Sequence, residues 1–212
     1  MDFVHLLSQE SVAYGVTITS QVLSQSQLYF DLLSRWRPVV NLTAVDDPRD
    51  LARFHFLESM YGARYMENGP ALHYDLGSGA GFPAISLKLM CPALYSVLFE
   101  SRQRRSAFLK ELIRALYLKD SLVQTERIEP RLVEHWPVLQ YITLRAIQLS
   151  DEVFQSMIPR LSVGGRLLIW HSMDYPPLHF LRQSSYLHHL ASDSLPHSSN
   201  RFLSVFERRV PL

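Results

Sequence analysis

The sequence has little cysteine, little glycine and almost no net charge. Its one cysteine, Cys91, excludes a disulfide within the chain and fits a reducing compartment. No apolar run approaches the ~20 residues of a membrane span, and the N-terminal stretch lacks the pattern of a secretory signal. A formal net charge of +1 neither supports nor excludes a nucleic-acid partner, because a basic patch can lie on a neutral protein. We therefore expect a soluble, cytoplasmic protein with no membrane partner.

The first part of the chain is predicted to be helical. Ser26–Trp36 carries apolar residues at helical spacing. A second helix is expected to begin at Pro48, because proline suits a first helical turn and Asp47 can cap it. Between these helices, Asn41 and Thr43 are expected to brace the segment.

After this segment, strand-like and helical stretches alternate, which favours a parallel sheet with helices on both faces. The stretches predicted as strands are 71–76, 95–100, 120–128, 140–146, 165–172, 184–191 and 201–210. The last two predict an antiparallel edge, and a helix over 151–161 is expected to be closed by Gly164-Gly165. We predict an α/β, Rossmann-like domain over 71–212, with a mostly parallel seven-stranded sheet, and a helical N-terminal extension over 1–70.

Three of the 8 glycines stand in one short turn, "DLGSGAGFP", Asp75–Pro83. Glycine loses more backbone freedom on folding than any other residue, so such a turn is expensive to order. In a doubly wound sheet the loop after the first strand lies where ligands bind. Gly77, Gly79 and Gly81 can bring bare backbone against a ligand, although such turns also serve tight packing alone. Their spacing matches neither the dinucleotide fingerprint nor a phosphate-binding P-loop.

Two acids accompany the glycine turn. Glu100 ends the second predicted strand, 19 residues beyond Gly81. A carboxylate there can accept both hydroxyls of a ribose, or it can simply start a helix, where the dipole favours an acid. Asp75 precedes the glycines and can take a cationic amino group. Together these features suit an adenosyl cofactor without a pyrophosphate, and S-adenosylmethionine fits best.

Around this turn the sequence resembles the RsmG family, also called GidB, the bacterial 16S ribosomal RNA guanine-N7 methyltransferases. The matching segments are NLTAV (41–45), HFLESM (55–60), DLGSGAGFP (75–83), SRQRRSAFL (101–109), VQTERIE (123–129), LRA (144–146) and GGRLLIW (164–170). Many methyltransferases share the glycine turn, whereas NLTAV followed by HFLESM is more specific to this family.

The resemblance implies a class I methyltransferase fold, S-adenosylmethionine, and a guanine in the decoding-region loop of the small-subunit RNA. It also implies cofactor contacts at Gly77 and Phe82 in the turn, at Ile128 and Glu129 after the third strand, and at Arg145 ending the fourth strand. Two alternatives stay open. One is a methyltransferase of the same fold with another RNA target, and the other is a cofactor- or RNA-binding relative without catalysis.

The chain departs from the family pattern near the acceptor side of the predicted site. Gln140 and Leu144 stand where the family usually has aspartate and serine, and His171-Ser172 replaces a common lysine-glycine. These departures motivate the alternative without catalysis, because they affect substrate positioning more than cofactor binding.

The expected reaction requires few catalytic groups. The N7 lone pair of guanine can attack a sulfonium methyl without losing a proton, so alignment and electrostatics matter more than a general base. Arg145 is the candidate for holding the cofactor loop or orienting the base, with a surface ion pair as the alternative. Cys91 suits packing better than a nucleophile for pyrimidine methylation. The histidines show no metal-ligand spacing, so we expect no metal.

A basic cluster begins the helix after the second predicted strand. Arg102, Arg104 and Arg105 are expected near the mouth of the cofactor site, where they can grip phosphates. An ordinary solvated helix face is the alternative. Together with the resemblance, the cluster favours 16S rRNA in the small ribosomal subunit as the partner. We also expect the protein to be a monomer.

Overall fold

The computed structural model describes residues 2–210. The N-terminal part contains α1 (Phe3–Tyr14), α2 (Ser20–Trp36) and a helical run of four pieces. That run comprises α3 (Pro48–Leu51), a π-helical stretch (Ala52–Leu57), α4 (Glu58–Tyr61) and a 3-10 turn (Gly62–Tyr65). As predicted, Asp47 caps the run, since its Oδ1 accepts the backbone N–H groups of Arg49 and Asp50 at 2.9 and 3.0 Å.

Seven strands follow, and five helices lie between them. The strands are β1 (Ala71–Leu76), β2 (Leu94–Phe99), β3 (Ser121–Gln124), β4 (Leu139–Arg145), β5 (Leu161–Ser172), β6 (Leu187–Ser194) and β7 (Arg201–Arg208). The helices are α5 (Ala84–Met90), α6 (Gln103–Ala115), α7 (Pro130–Val133), α8 (Asp151–Met157) and α9 (Pro177–Gln183). None of the helices in the described part of the chain has the length and apolar composition needed to cross a bilayer.

The strands form one sheet in the order β3-β2-β1-β4-β5-β7-β6. The first five are parallel, and β7 runs antiparallel to both β5 and β6. This confirms the predicted α/β fold with a mostly parallel seven-stranded sheet. The strand order reverses between β1 and β4, so the carboxyl ends of these strands flank the crevice in which such sheets bind ligands.

The two faces of the sheet are covered by different parts of the chain. On one face, Tyr29, Phe56 and Phe108 share a buried apolar cluster, which joins the N-terminal helices to α6. On the other face, Phe154 and Leu181 belong to a second cluster formed with α7, α8 and α9. The N-terminal helices are therefore packed against the sheet domain, while a division of the chain near residue 70 stays a prediction.

Two local predictions differ from the structure. Gly164 and Gly165 lie inside β5 and do not close a helix, because a 3-10 turn (Ile158–Arg160) leads directly from α8 into the strand at Leu161. The helix α9, with prolines in its first turn, was not predicted.

Candidate cofactor and substrate site

A cavity of about 760 Å³, hereafter the first cavity, opens at the carboxyl ends of β1, β2 and β4. Gly77 follows β1 and Glu100 follows β2, while Ile128 and Glu129 lie in the loop before α7. The segment from Arg145 to Ser150, which follows β4, completes the wall. The topology therefore brings most of the predicted cofactor residues into one crevice.

Gly77 gives the first cavity a stretch of bare backbone. Its φ is +72°, a conformation that favours glycine, and its N–H donates to the Phe99 carbonyl at 2.9 Å. A Cβ at this position would lie 2.6 Å from Cδ1 of Ile147. Any side chain at residue 77 would therefore narrow the crevice between β1 and β4.

Glu100 connects the glycine turn to α6. Its side chain is buried, with Oε2 accepting the Gly79 N–H at 3.0 Å and Oε1 accepting the Arg102 N–H at 2.8 Å. The carboxylate thus lies on the cavity wall and also satisfies a backbone donor beside the first turn of α6. The structure shows the helix-start role weighed for this acid, whereas its contact with a ribose stays a prediction.

The rest of the glycine turn packs against the N-terminal helices. Phe82 is stacked on the rings of Tyr29 and His55, with centroids 4.9 and 5.0 Å away. A Cβ at Gly81 would lie 2.7 Å from the Tyr29 hydroxyl, which itself donates to the Ala80 carbonyl at 2.6 Å. Phe82 and Gly79 do not line the first cavity, so their predicted contacts with a cofactor have no support from its geometry.

Asp75 also lies away from the cavity lining. Its carboxylate is fully buried, and Oδ1 accepts the hydroxyl of Thr143 at 2.5 Å, while Oδ2 has no partner among the described residues. Burial raises the pKa of Asp75 to about 6. Thr143 also contacts Nε2 of His73 at 2.8 Å. The expected contact between Asp75 and a cationic amino group therefore lacks a geometric basis.

Arg145 forms the ion pair considered as its alternative role, but this pair is buried and does not lie at the surface. Its Nη2 donates to Oε2 of Glu58 at 2.6 Å and to the Phe54 carbonyl, and Nη1 donates to the hydroxyl of Ser59 at 3.3 Å. Arg201 at the start of β7 donates to the same carboxylate at 3.1 Å. Burial raises the pKa of Glu58, and the two guanidinium groups oppose that rise. The cluster joins β4, β7 and the N-terminal helical run.

The predicted basic cluster divides into different environments. Arg102 and Arg105 line the first cavity, whereas Arg104 is exposed and does not. Arg105 donates from Nε and Nη2 to the Asn41 carbonyl at 3.1 and 2.6 Å. Thr43 contacts Nε2 of His55 at 2.8 Å. The Thr43 contact agrees with the expected bracing of the N-terminal helices, whereas Asn41 links the segment to α6 through its backbone carbonyl alone.

A second cavity of about 430 Å³ adjoins the first and shares Arg145, Ala146 and Gln148 with it. Ala146 has a φ of +51°, in the left-handed region that a residue with a Cβ rarely adopts. Such strained backbone tends to occur at functional sites. The junction between the cavities is therefore a candidate for the reacting centre.

Most residues that line the second cavity were not predicted from the sequence. Its wall includes Asp174, Tyr175, Arg201 and Phe202, which lie in the segments around α9 and β7. None of these residues belongs to the segments that carry the family resemblance. In the sequence, these residues could have been noticed only as aromatic and charged side chains near the ends of the last strands.

The three departures from the family pattern have different locations. Leu144 is fully buried in the cluster beneath α8, and the exposed Gln140 accepts the Leu72 N–H at 2.8 Å. The third departure, His171-Ser172, lines the second cavity. Two of the departures therefore lie outside both cavities and do not alter their walls.

Comparisons with known proteins agree with this geometry. The family model described as "GidB: rRNA small subunit methyltransferase G" matches residues 22–199. The chain is similar to ribosomal RNA small subunit methyltransferase G of Chloroflexus aggregans, with 37% identity over 165 residues, covering 77% of this chain and 69% of that relative.

Solved structures share the fold at low identity. An rRNA methylase from Streptococcus thermophilus superposes with a TM-score of 0.58 at 14% identity, covering 72% of this chain and 96% of that one. A candidate methyltransferase from Streptococcus mutans, in complex with SAH, gives 0.54 at 14% identity, covering 77% and 99%. At this identity, the likeness concerns the fold alone.

Proposed function

This chain belongs to the family of small-subunit ribosomal RNA methyltransferases G, and on that premise we propose that it methylates N7 of a guanine in 16S ribosomal RNA. S-adenosylmethionine is the proposed methyl donor. The proposed partner is the decoding region of the small ribosomal subunit, and the proposed working form is a cytoplasmic monomer that needs no metal.

The first cavity is the observation that carries this proposal. It lies at the reversal of strand order and combines bare backbone at Gly77, a carboxylate at Glu100 and an apolar side chain at Ile128. These groups suit an adenosyl group, in which a flat apolar ring carries a ribose with two hydroxyl donors. Because a Cβ at residue 77 would fill part of this space, the fit depends on the glycine.

Alignment is the main task of the chain in the proposed reaction. Gly77, Glu100 and Ile128 would hold S-adenosylmethionine, which would supply a sulfonium methyl group to the N7 lone pair, with the C–S electron pair left on sulfur. Because the base loses no proton in this step, no side chain has to act as a general base. Arg145 acts as a positioning residue, since its bonds to Glu58 and Ser59 hold the end of β4 between the two cavities.

RNA binding is assigned to the basic cluster at the start of α6. Arg102 and Arg105 lie on the rim of the first cavity, and Arg104 is exposed beside them. Guanidinium groups in this place can contact phosphates of the RNA around the acceptor base.

The proposal is tested by incubating the full chain with labelled S-adenosylmethionine and small ribosomal subunits that lack the modification, and then mapping the labelled base. We expect label on N7 of one guanine in the decoding region of 16S RNA. Label on another atom or another RNA would replace this function with that of a related methyltransferase. Tight cofactor binding without transfer would instead favour a relative that has lost catalysis.

A further inference from the structure

We propose that the second cavity binds the acceptor guanine and that Asp174 recognises its Watson–Crick edge. This inference rests on the proposed function and extends it, because it assigns base recognition to residues outside the segments that carry the family resemblance. Four observations support it: the position of the second cavity, its aromatic wall, its charge arrangement and its free carboxylate.

The position of the second cavity fixes how a base would enter. Arg145, Ala146 and Gln148 border both cavities, so a flat base in the second cavity places one edge against the first. For transfer to N7, that edge must be the one carrying N7 and O6. The Watson–Crick edge of guanine, with N1–H and the N2 amino group, adjoins this edge at O6 and then faces a wall of the second cavity that does not border the first.

An aromatic row forms one wall of the second cavity. The ring of His171 lies 5.6 Å from that of Tyr175 and 5.8 Å from that of Phe202, at interplanar angles of 28° and 19°. Nearly parallel rings suit a flat base, since stacking on aromatic side chains is a general way to hold one.

His171 is stacked with both other rings of this row, and both of its nitrogens have partners. Its Nδ1 lies 2.7 Å from the Ser172 carbonyl, which can only accept, so this nitrogen carries the proton. Its Nε2 then accepts the hydroxyl of Ser204 at 2.8 Å, and burial lowers the pKa of the imidazole. Both nitrogens are thus occupied, and the histidine that replaces the family's usual lysine acts as a flat neutral surface.

The charges of the second cavity leave one carboxylate available. Glu58 is already bonded by Arg145 and Arg201. Asp174 lies on the cavity wall and is exposed, and no lysine or arginine between residues 2 and 210 forms an ion pair with it. Because Asp174 does not border the first cavity, it can face the edge of the base that points away from the cofactor.

An ionised carboxylate in this place discriminates between purines. A carboxylate only accepts hydrogen bonds, so it can take both N1–H and the N2 amino group of guanine. Adenine presents a lone pair at N1, which the carboxylate repels. In addition, methylation at N7 moves a positive charge onto the base, and a neighbouring carboxylate stabilises that charge. Asp174 is therefore assigned to both selection and charge stabilisation.

The test is to titrate GMP, IMP and AMP separately into the SAH-saturated full chain and to measure their binding by saturation-transfer NMR. IMP lacks the N2 amino group, and AMP lacks both donors of that edge. We expect affinity in the order GMP, IMP, AMP, and we expect Asp174→Asn to reduce the preference of GMP over AMP at least about tenfold. As a control, Asp31→Asn removes an equal charge at an exposed position of α2 and should leave the order of affinities unchanged.

A second variant separates stacking from edge recognition. Phe202→Leu should weaken all three nucleotides by about tenfold without changing their order, because a ring face reads no base edge. Equal affinity of the wild-type chain for the three nucleotides, no detectable binding of any, or an unchanged preference in Asp174→Asn would overturn the assignment.

Methyl-transfer kinetics distinguish the failure of this inference from that of the proposed function. With small subunits as substrate, Asp174→Asn should raise the KM for subunits about tenfold or more while the affinity for S-adenosylmethionine changes less than about twofold. An unchanged KM with intact guanine methylation would reject Asp174 and keep the function. A wild-type chain that prefers GMP yet methylates no guanine would reject the function and keep the cavity assignment.

Discussion

The two cavities that meet at Arg145 are built in different ways. The first is formed by loops that directly follow β1, β2, β3 and β4, whereas the second is formed mainly by the N-terminal helical run, β5, the segment before α9 and the start of β7. A wall of bare backbone requires glycine and so leaves a visible sequence signal. A wall of side chains brought together by tertiary packing leaves almost none. The family resemblance accordingly covers the glycine turn of the first cavity but omits the part of the second cavity formed by residues 171–202.

The largest effect on cofactor affinity is expected from Gly77→Val, which adds a side chain at the bare backbone of the first cavity. The φ of +72° is unfavourable for a branched residue, and its Cβ would lie 2.6 Å from Cδ1 of Ile147. We expect the affinity for S-adenosylmethionine, measured by calorimetry, to fall at least about a hundredfold.

Gly164→Val is the matched control for this variant. Gly164 has a φ of +80°, but a Cβ there meets nothing within 4 Å. It should lose stability through backbone strain and keep its cofactor affinity. Equal loss of affinity in both variants would show that strain, and not obstruction of the first cavity, causes the effect.

The next largest effect is expected from Glu58→Gln, which alters the charge cluster of the second cavity. Removing this carboxylate leaves Arg145 and Arg201 without their counter-charge, so the free energy of unfolding should fall by about 3 kcal/mol in urea denaturation. Glu207→Gln, which removes a half-buried partner of Arg166 at 3.6 Å, should lower it by less than about 1 kcal/mol. Similar losses of unfolding free energy in the two variants would contradict the larger contribution expected from the buried ion cluster.

A smaller effect, visible only as pH dependence, is expected at Asp75. Burial raises the pKa of this carboxyl from 3.8 to about 6, so the folded state holds a proton that the unfolded state releases. Its stabilising contribution is complete below pH 3.8 and is lost as the pH rises through about 6.

Asp75→Asn removes that titration. The unfolding free energy of the wild type should therefore fall relative to the variant between about pH 4 and pH 6, while His73 titrates in both proteins. Parallel pH profiles from urea denaturation would mean that Asp75 is ionised in the folded state.

The smallest effects are expected in the basic cluster. Arg105→Ala removes two bonds to the Asn41 carbonyl and part of the first-cavity wall, so it should weaken S-adenosylmethionine binding several-fold. Arg104→Ala should leave cofactor binding unchanged. In a plot of the logarithm of subunit affinity against the logarithm of salt concentration, it should make the slope shallower by about one unit. If both variants affected only subunit binding, Arg105 would act solely as an RNA contact and would contribute nothing to cofactor binding.

The accuracy of the sequence predictions follows the range of the interactions involved. The bounds of β1 were predicted correctly because alternating apolar residues and a glycine turn mark them locally. Arg201 and Glu58 are 143 residues apart, and no local pattern indicates their contact. Gly164 and Gly165 were misread as a helix end, since glycine breaks helices locally but is also accommodated where strand pairing shifts register, as between β4 and β5 here. Phe82 was assigned to the cofactor by resemblance, and that contact stays a prediction; its packing against Tyr29 and His55 had no local sequence signal.

The most direct test of this account is a crystal structure of the full chain with SAH and GMP together. The account predicts SAH in the first cavity, against Gly77 and Ile128, and the base of GMP in the second cavity, with N7 towards Arg145 and its amino edge towards Asp174. A base bound elsewhere, or SAH in the second cavity, would contradict the division of labour between the two cavities.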